Sequence, residues 1–277
     1  MALFMPGHLG ETGALGAKVV SVFGGNPARG LPVIHALVLL LDPGTGVPRA
    51  VMDGTRLTAL RTGAAGGLAT DLLARPDASV LAVFGAGVQA RTQVEAVRTV
   101  RRVREIRLLD SVPAAAERFA EELAGEAGAP PVRVLSDPRA AVEGADVIVT
   151  ATTSSHPLFP GDAVAPGTHV SGIGSYTPLM REVDSQLVRR ATVVVDTREA
   201  ALAEAGDLLI PLGEGVIEED HIVAELGEVV RGLHPGRTRP DEITFFKSVG
   251  NAAQDLAVAH LALEEAERRG EGVRVEL

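Results

Sequence analysis

The chain has 277 residues, of which 46% are hydrophobic, so it is long enough for one large domain or two modest ones with a sizeable core. The formal net charge of −10 argues against a nucleic-acid partner, and no apolar run reaches the roughly 20 residues that a membrane-spanning helix needs. There is no cysteine, which excludes disulfides, thiol catalysis and cysteine–zinc sites, and the seven histidines never fall at metal-ligand spacing, so we expect no bound metal.

The N-terminal part predicts two strands and a helix. Its start, MALFMPGHLGE, lacks the basic and apolar regions of a signal peptide, so we expect a cytoplasmic protein. The apolar runs 32–42 and 47–54 predict strands joined by the turn-rich PGTG, and residues 56–74, rich in small side chains, predict a helix.

From residue 79 onward, apolar strands alternate with helices. Strands are predicted over 79–85, 105–110, 132–135, 146–152, 167–175, 191–196 and 241–250, and helices over 88–100, 113–125, 137–145, 218–232 and 251–270, the last capped by Gly270. Continuous apolar strands separated by helices predict a parallel sheet that is covered on both faces.

The wound sheet is predicted to occupy residues 76–250. We expect residues 1–75 and 251–277 to pack together as a second, discontinuous domain. The predicted fold class is therefore α/β, a doubly wound parallel sheet with a smaller discontinuous α+β domain.

A nucleotide-binding signature follows the first strand of this sheet. In VFGAGVQA, Gly85, Gly87 and Ala90 form the pattern G-x-G-x-x-A at the opening of a helix. The first glycine permits the tight turn, the second lets the backbone approach a pyrophosphate, and the small third residue lets the helix lie close to the strand. Asp110 ends the second strand, where a carboxylate accepts hydrogen bonds from the ribose hydroxyls of NAD and repels the 2′-phosphate of NADP. This context favours a Rossmann-type NAD site over an ordinary turn with a solvated aspartate.

Small residues also end two later strands. VTATTSSHP places Thr150 and Thr152, and SGIGSYTP places Gly172 and Ile173, at the carboxyl ends of strands, where a wound sheet holds its cofactor. For any single threonine, an ordinary polar loop is an equal alternative.

Lysine is rare in this chain, because only Lys18 and Lys247 of its 26 Lys+Arg residues are lysines. An ammonium is a compact charge whose pKa falls readily on burial, and a guanidinium cannot replace it in a tight site. Lys18, in the glycine-flanked apolar stretch LGAKVVSV, is therefore a candidate site residue, and the alternative is a strand-edge lysine that reaches solvent. Arg61 lies in the helix predicted over 56–74, and it is either a site residue or an arginine on the helix surface. Glu182 and Asp184 are interpreted as carboxylates at the start of a helix, where they would pair with its dipole.

Seven stretches in chain order resemble the ornithine cyclodeaminase/mu-crystallin family: GALGAKVVSVF, LTALRTGAAG, VFGAGVQA, GIGSYTPLMREVD, VVVDTREAALAEAGDLL, IVAELGEVVRG and FFKSVGNAAQDLAVA. The resemblance covers essentially the whole sequence. It implies a homodimer in which residues 76–250 form a Rossmann NAD-binding domain and residues 1–75 together with 251–277 form the substrate and dimerisation domain. It also implies one of the activities of the family, which are cyclodeamination of ornithine or lysine, alanine dehydrogenation, and reduction of cyclic imines such as pyrroline-2-carboxylate.

The resemblance implies roles at the substrate. Lys18 matches a lysine that contacts the substrate carboxylate, and Arg61 matches an arginine where the substrate meets the nicotinamide, so both are expected to be catalytic and substrate-binding. Val249 matches a residue beside the nicotinamide, and we assign it to substrate binding together with Tyr176, the only tyrosine in the chain.

The resemblance also implies cofactor contacts. Val88 and Gln89 match positions of the phosphate loop, and Asp110 matches the ribose acid. Ser248 matches a residue beside the nicotinamide, and its neighbour Lys247 is assigned to cofactor binding with it. The expected cofactor is NAD, with NADH preferred over NADPH.

Departures from the family patterns bear on the reaction. Cyclodeaminases carry an aspartate that handles the substrate amino group, and alignment on Pro178 and Glu182 places Tyr176 at that position, while Lys247 also stands where cyclodeaminases tend to have Asp. Both loops look more like mu-crystallin, which favours imine or keto-acid reduction, although Asp110 departs from the NADPH-suited pattern of mu-crystallin. Family members also carry some tens of residues before the MP dipeptide, including a carboxylate-binding arginine, so we expect either a truncated start or a site without that arginine.

The predicted function is an NAD(H)-dependent oxidoreductase that reduces a cyclic imine, or an imino or keto acid, to an amino acid. Lys18 and Arg61 would bind the substrate carboxylate, and Lys18 or a water that it holds is the candidate proton donor. Alanine dehydrogenase and ornithine cyclodeaminase stay open as alternatives, as does a non-catalytic NAD(H)-binding dimer. The expected partners are a small imino or amino acid and a second copy of the chain, with no nucleic acid and no membrane.

Overall fold

The computed structural model describes residues 2–275, which form two compact units. The first unit comprises the described residues up to Arg61 and from Asn251 onward, and the second comprises Thr62–Gly250. The division falls within a helix, whereas the sequence placed a domain boundary after that helix, at residue 75; as functional domains, the predicted ranges stay a prediction. Within residues 2–275, no helix combines the length and apolarity that crossing a membrane requires.

In chain order the strands are β1 (Ala2–Leu9), β2 (Ala14–Val22), β3 (Ile34–Leu41), β4 (Pro48–Asp53), β5 (Val80–Phe84), β6 (Glu105–Leu109), β7 (Val132–Val134), β8 (Val147–Thr150), β9 (His169–Gly172), β10 (Ala191–Val195), β11 (Ile222–Glu225) and β12 (Ile243–Lys247). The α-helices are α1 (Gly54–Leu73), α2 (Val88–Val100), α3 (Pro113–Ala124), α4 (Pro138–Val142), α5 (Ser185–Arg190), α6 (Arg198–Glu204), α7 (Gly206–Gly213), α8 (Leu226–Val230) and α9 (Ala252–Arg269). Short 3-10 turns span Asn26–Arg29, Gly161–Ala163 and Glu219–His221.

In the first unit, β1 to β4 form an antiparallel sheet in the order β1-β2-β3-β4. Side chains alternate along β2, and Lys18 lies at one of the buried positions. Leu256 and Leu263 of α9 share a hydrophobic core with Val38 and Leu40 of β3. Because β2 lies between β1 and β3, Lys18 is on a central strand, and the strand-edge alternative is wrong.

Two glycines let α9 lie close to this sheet. Gly7 of β1 and Gly16 of β2 are cross-strand partners. A Cβ at Gly7 would lie 3.0 Å from Leu256 Cδ1, and one at Gly16 would lie 3.1 Å from Leu256 Cδ2 and 2.0 Å from the Leu39 carbonyl oxygen. Side chains at these positions would therefore displace the first turns of α9 from the sheet.

In the second unit, the strands form an all-parallel sheet in the order β11-β10-β12-β9-β8-β5-β6-β7, which confirms the predicted doubly wound fold. Apolar side chains fill both faces: along β8, Ile148 packs in one core while Val147 and Val149 pack in the other. The strand order reverses between β5 and β8. In wound sheets the ligand lies at the carboxyl ends of the strands beside such a reversal.

The helix predicted over 218–232 is wrong in its first half. Residues 222–225 form the edge strand β11, which pairs in parallel with β10. A 3-10 turn precedes it at Glu219–His221, and of the predicted range only α8 is an α-helix. Ile222 and Ala224 are buried while Val223 between them is exposed, which is the two-residue period of a strand. Pairing with an open sheet edge therefore overrides the helical pattern of the local sequence.

Candidate functional site

The glycine turn after β5 has the geometry that dinucleotide binding requires. Gly85 has φ +106, and a Cβ there would lie 2.5 Å from the Ala151 carbonyl oxygen, so only glycine fits. Gly87 is the N-cap of α2, and a Cβ built on it would meet nothing within 4 Å. No side chain within residues 2–275 caps α2, so the helix N-terminus presents backbone N–H groups to an open surface, as an anion site does.

The residues at the start of α2 differ in exposure. Val88 is exposed, Gln89 is half-buried, and Ala90 is fully buried against the sheet. In the described part of the chain, Oε1 of Gln89 is a buried oxygen that accepts no hydrogen bond. The small Ala90 lets the helix lie close to its strand, as the sequence pattern predicts.

Asp110 follows β6 and lies beside the glycine turn. Its Oδ2 accepts a hydrogen bond from the Ala86 backbone N–H at 2.8 Å, and its Oδ1 accepts one from the Val112 N–H at 2.8 Å. A carboxylate has about four acceptor sites, so each oxygen keeps capacity for a further donor such as a ribose hydroxyl.

Glu182 is the hub of a buried hydrogen-bond network at the strand ends. Its carboxylate accepts from the Thr150 hydroxyl (2.9 Å), the Thr152 N–H (2.7 Å) and hydroxyl (2.8 Å), and the Gly174 N–H (2.7 Å). The interpretation of Glu182 as a helix-start carboxylate is therefore wrong, because it ties together the loops after β8 and β9. Asp184 does cap a helix, since its Oδ1 accepts from the Leu187 N–H of α5 at 2.8 Å.

Lys247 and Asp207 extend this network. The fully buried Nζ of Lys247 lies 3.0 Å from the Gly172 carbonyl oxygen and 3.3 Å from Asp207 Oδ2. Burial raises the pKa of the Glu182 carboxyl and the nearby Asp207 raises it further, while Lys247 opposes both. Ile173, directly after Gly172, is buried.

Asp196, at the end of β10, fixes the loop after β12. Its Oδ2 accepts hydrogen bonds from the Ser248 hydroxyl (3.1 Å), the Val249 N–H (3.0 Å) and the Gly250 N–H (2.5 Å). The loop after β9 carries Tyr176, which is half-buried. The predicted residues of the second unit thus lie at the carboxyl ends of β5, β6, β8, β9 and β12, the strand ends where wound sheets bind ligands.

In the first unit the structure brings Lys18 and Arg61 to one carboxylate. Lys18 Nζ lies 2.5 Å from Asp255 Oδ2, and Arg61 Nε donates to Asp255 Oδ1 at 3.0 Å. Lys18 is 2% exposed and Asp255 is 0% exposed, and Arg61 is also buried, so the helix-surface alternative for Arg61 is wrong. Arg61 Nη1 also donates to the Gln254 side-chain oxygen at 2.9 Å. Lys18, Arg61 and Asp255 together form the cation cluster.

The cation cluster makes Lys18 more acidic than an ordinary lysine. Burial lowers the pKa of the Lys18 ammonium, and the Arg61 charge lowers it further, while Asp255 acts in the opposite direction. A buried ammonium of lowered pKa attracts a carboxylate and releases its proton more readily than an ordinary lysine does.

The sequence analysis gave no role to three acids of this site, Asp255, Asp196 and Asp207. Asp255 lies within the family-like stretch FFKSVGNAAQDLAVA, but nothing in the local sequence distinguishes it from an ordinary acid in the first turn of a helix, which is a partner of the helix dipole. Asp196 ends a strand, a position whose partners the local sequence does not reveal. Within residues 2–275, no group of three or more acidic, histidine or cysteine side chains could hold a metal ion.

This fold and these strand-end residues define a member of a dinucleotide-binding enzyme family. The chain belongs to the ornithine cyclodeaminase/mu-crystallin family, whose family model matches residues 2–270, as the sequence stretches predict.

Its relatives include reductases and a dehydrogenase. A Delta(1)-pyrroline-2-carboxylate reductase of Bacillus cereus is 41% identical over 276 residues, which are 99% of this chain and 84% of the relative. The solved structure of the Thermococcus litoralis Delta(1)-pyrroline-2-carboxylate reductase, in complex with NADH and L-proline, is similar with a TM-score of 0.96 and 45% identity, over 99% of this chain and 84% of that one. An archaeal alanine dehydrogenase, solved as a dimer with bound NAD, has a TM-score of 0.94 and 38% identity, over 99% and 83% of the two chains.

Proposed function

We propose that this chain is an NAD(H)-dependent reductase that converts a cyclic imine carrying a carboxylate, of the pyrroline-2-carboxylate type, to the corresponding amino acid. The observation that carries the proposal is the cation cluster, in which two buried cations share one aspartate and so retain one positive charge for a substrate carboxylate. The similarity to reductases of this substrate, one of them solved with NADH and L-proline, supports it.

The residues of the second unit fit the cofactor. The open N-terminus of α2 at Gly87 would hold the pyrophosphate, and the spare acceptor capacity of Asp110 would hold the ribose hydroxyls. Bound NADH supplies the hydride. We further propose that NADH is preferred over NADPH, because the Asp110 carboxylate would lie against a 2′-phosphate. Thr152, Ile173 and Ser248, at or near strand ends, would line the nicotinamide part of the site.

Lys18 and Arg61 would act on the substrate. Together they would bind its carboxylate and so hold the C=N group in a fixed position for hydride transfer. The Lys18 ammonium donates a proton to the imine nitrogen, because an iminium accepts hydride more readily than a neutral imine. The lowered pKa of Lys18 suits this role, because burial and the neighbouring Arg61 make its ammonium a stronger acid than that of an ordinary lysine.

A second candidate is alanine dehydrogenase, favoured by the likeness to the archaeal enzyme. The same two cations would bind the carboxylate of pyruvate, and the imine would form from ammonia. Cyclodeamination is less well supported, because Tyr176 stands where cyclodeaminases carry the aspartate that handles the amino group.

The test is an NADH-oxidation screen over pyrroline-2-carboxylate, pyruvate with and without ammonia, and other keto acids with amines. We expect turnover with pyrroline-2-carboxylate at a higher kcat/KM than with pyruvate plus ammonia, and no steady conversion of ornithine to proline. The reverse order would make the chain an alanine dehydrogenase. Binding of NADH without turnover of any imine would instead support the non-catalytic binder.

We also propose that the chain forms a homodimer through the face of the first sheet opposite α9. Phe4 (75% exposed) and Val51 (68% exposed) project there, on cross-strand rows with Leu37 and Leu39. A contiguous apolar face of this kind marks a protein interface, and the archaeal relative was solved as a dimer. Light scattering at micromolar concentration should give twice the chain mass, and a sharp monomer would contradict the proposal.

A further inference from the structure

We infer that Asp255 is a positioning residue of the substrate site: it holds the Lys18 ammonium and the Arg61 guanidinium together and leaves their cluster one positive charge, matched to a single substrate carboxylate. The inference rests on the reductase function proposed above. It assigns to Asp255 a role that acts through the two cations and not on the substrate itself.

The fold places Asp255 where both cations can reach it. Asp255 lies in the first turn of α9, whose N-cap Asn251 accepts from the Gln254 N–H at 3.0 Å. The close approach of Leu256 to Gly7 and Gly16 brings this turn down onto β1 and β2. Its Oδ2 then lies 2.5 Å from Lys18 Nζ, and its Oδ1 accepts from Arg61 Nε at 3.0 Å. Each carboxylate oxygen therefore serves a different cation.

The contacts also fix which edge of Arg61 is left for a ligand. Nε is held by Asp255 and Nη1 by Gln254, so the planar guanidinium cannot rotate without losing a hydrogen bond. Among residues 2–275, no acceptor is hydrogen-bonded to Nη2 of Arg61. That nitrogen and the remaining N–H groups of Lys18 are the donors that a substrate carboxylate would meet.

Charge balance explains why an aspartate is needed at this position. Two buried cations side by side repel each other, and a buried charge without a partner is costly. With Asp255 ionised, the cluster has a net charge of one, so one substrate carboxylate neutralises it. Without Asp255 the cluster would carry two positive charges, and Lys18 would lose its proton more easily than Arg61.

The charged groups that face Lys18 are Arg61 from α1 and Asp255 from α9. Its cross-strand neighbours, Met5 on β1 and Val38 on β3, carry no charge. Burial and Arg61 lower the pKa of Lys18, and Asp255 is the group that raises it. Asp255 thus keeps Lys18 in the ammonium form, which binds a carboxylate and has a proton to donate.

The presence of only two lysines in the chain allows a direct test by NMR. In protein labelled with 15Nζ-lysine, the signal that disappears in Lys18→Met is that of Lys18, and the other is that of Lys247. We expect Asp255→Asn to lower the Lys18 titration midpoint by about one to three pH units, the range for losing an adjacent opposite charge. The signal of Lys247 should not move. Asp207→Asn, which removes the aspartate beside Lys247, is the matched control and should leave Lys18 unchanged.

A second pair of variants covers the case in which Asp255→Asn fails to fold with its two unpaired cations. Arg61→Gln removes the repelling charge and should raise the Lys18 midpoint. Adding Asp255→Asn to it should bring the midpoint down again, with no second cation present. An unchanged Lys18 midpoint on loss of Asp255, in either background, would overturn the inference.

The same variants distinguish this inference from the function on which it rests. In the active enzyme, the alkaline fall of kcat/KM for imine reduction should move to lower pH in Asp255→Asn by the shift seen in NMR, and Asp255→Glu should restore part of it. A shifted Lys18 signal in a protein that reduces no imine would refute the function and leave the role of Asp255 toward the cations standing. Normal turnover with an unmoved Lys18 signal would refute the role of Asp255 alone.

Discussion

The two lysines of the chain are both buried, and both lie beside an aspartate. They differ in their other charged neighbours, because a second cation lies near Lys18 and a second carboxylate lies near Lys247. Lys18 shares Asp255 with Arg61, so cations outnumber carboxylates in the cation cluster. Nη2 of Arg61 also donates no hydrogen bond to any residue within 2–275. The first unit therefore holds a buried group with an excess of positive charge, which is the feature that carries the proposed substrate site.

The surroundings of Lys247 are closed by comparison. Its ammonium lies between the Gly172 carbonyl and Asp207, and Glu182 adds a second carboxylate nearby. Glu182 itself already accepts hydrogen bonds from backbone and hydroxyl donors. A buried lysine is thus not evidence of a ligand site in itself. The number of carboxylates beside it, and the donors left over, decide between a binding role and a structural one.

Replacing Lys18 with Met should have the largest effect on activity. Loss of a charged donor in a desolvated site costs roughly 2.7–4 kcal/mol, so kcat/KM for imine reduction should fall by about 10²–10³. Lys18→Arg should recover only part of this, because the longer planar fork does not fit the place of an ammonium. The free energy of unfolding should change little, because Asp255 keeps its pair with Arg61.

Steady-state kinetics and NADH titration check this prediction. NADH affinity should stay near wild type in both variants, because the proposed phosphate-binding groups belong to α2. A kcat/KM within threefold of wild type for Lys18→Met would leave carboxylate binding to Arg61 alone.

Replacing Lys247 with Met should lower the free energy of unfolding, in contrast to Lys18→Met, whose main effect is on kcat/KM. It removes the cation beside the buried carboxylates of Asp207 and Glu182, and breaking a buried charge pair costs about 3–5 kcal/mol. We expect the lower end, because Glu182, whose pKa burial already raises, can take up a proton in compensation. Urea unfolding at pH 7 measures the loss. Equal midpoints for wild type and variant would show that the network does not depend on this charge.

His169 extends the comparison to a buried group that is kept neutral. Its ring nitrogens lie 2.9 Å from the Thr244 hydroxyl and 3.1 Å from the Ser171 hydroxyl, and burial lowers its pKa to about 3, with Arg237 and Arg101 contributing. The unfolded chain, with a pKa of 6.5, binds the proton first as pH falls. The contribution of His169 to the free energy of unfolding is therefore fully present above about pH 6.5, and it is lost progressively as the pH falls to about 3.

Between neutral pH and pH 4.5, His169 alone should lower the free energy of unfolding by about 2.7 kcal/mol. His169→Gln should flatten the fall in unfolding free energy between pH 7 and pH 4.5 by about that amount, measured by urea titrations. His156→Gln, at an exposed histidine, is the control and should keep the wild-type slope. If both variants show the wild-type slope, other groups carry the acid sensitivity.

The sequence predicted the fold well because its signals are local. Alternating apolar strands and helices gave the parallel sheet, and the glycine pattern after β5 gave the turn at Gly85, since each depends on neighbouring residues. The helix predicted over 218–232 failed because an open sheet edge captured Ile222 and Ala224 as a strand.

Site partners that are distant in the sequence were harder to predict. Lys18 and Arg61 were both assigned to the substrate, but the carboxylate that joins them, Asp255, comes from a helix 194 residues further along than Arg61. Glu182 was interpreted from its place near a helix start, whereas its donors include Thr150, 32 residues earlier. Ion pairs and networks of this kind leave no periodic pattern, so only the folded chain reveals them.

Asp110, in the second unit, shares one property with the cation cluster: its contacts within the protein leave hydrogen-bonding capacity for a ligand. Its two oxygens accept from the backbone of Ala86 and Val112, and the remaining acceptor sites are the ones proposed for the ribose hydroxyls. Asp110→Ser removes the charge but keeps a hydroxyl, so repulsion of a 2′-phosphate should weaken. We expect the preference for NADH over NADPH, as a ratio of kcat/KM values, to narrow about tenfold, which corresponds to ~1.4 kcal/mol.

Asp110→Asn keeps the shape of the side chain without its charge, and it should narrow the ratio similarly if charge is the cause. A wild-type enzyme that uses NADPH as well as NADH, or variants with an unchanged ratio, would show that Asp110 serves only to hold the glycine turn.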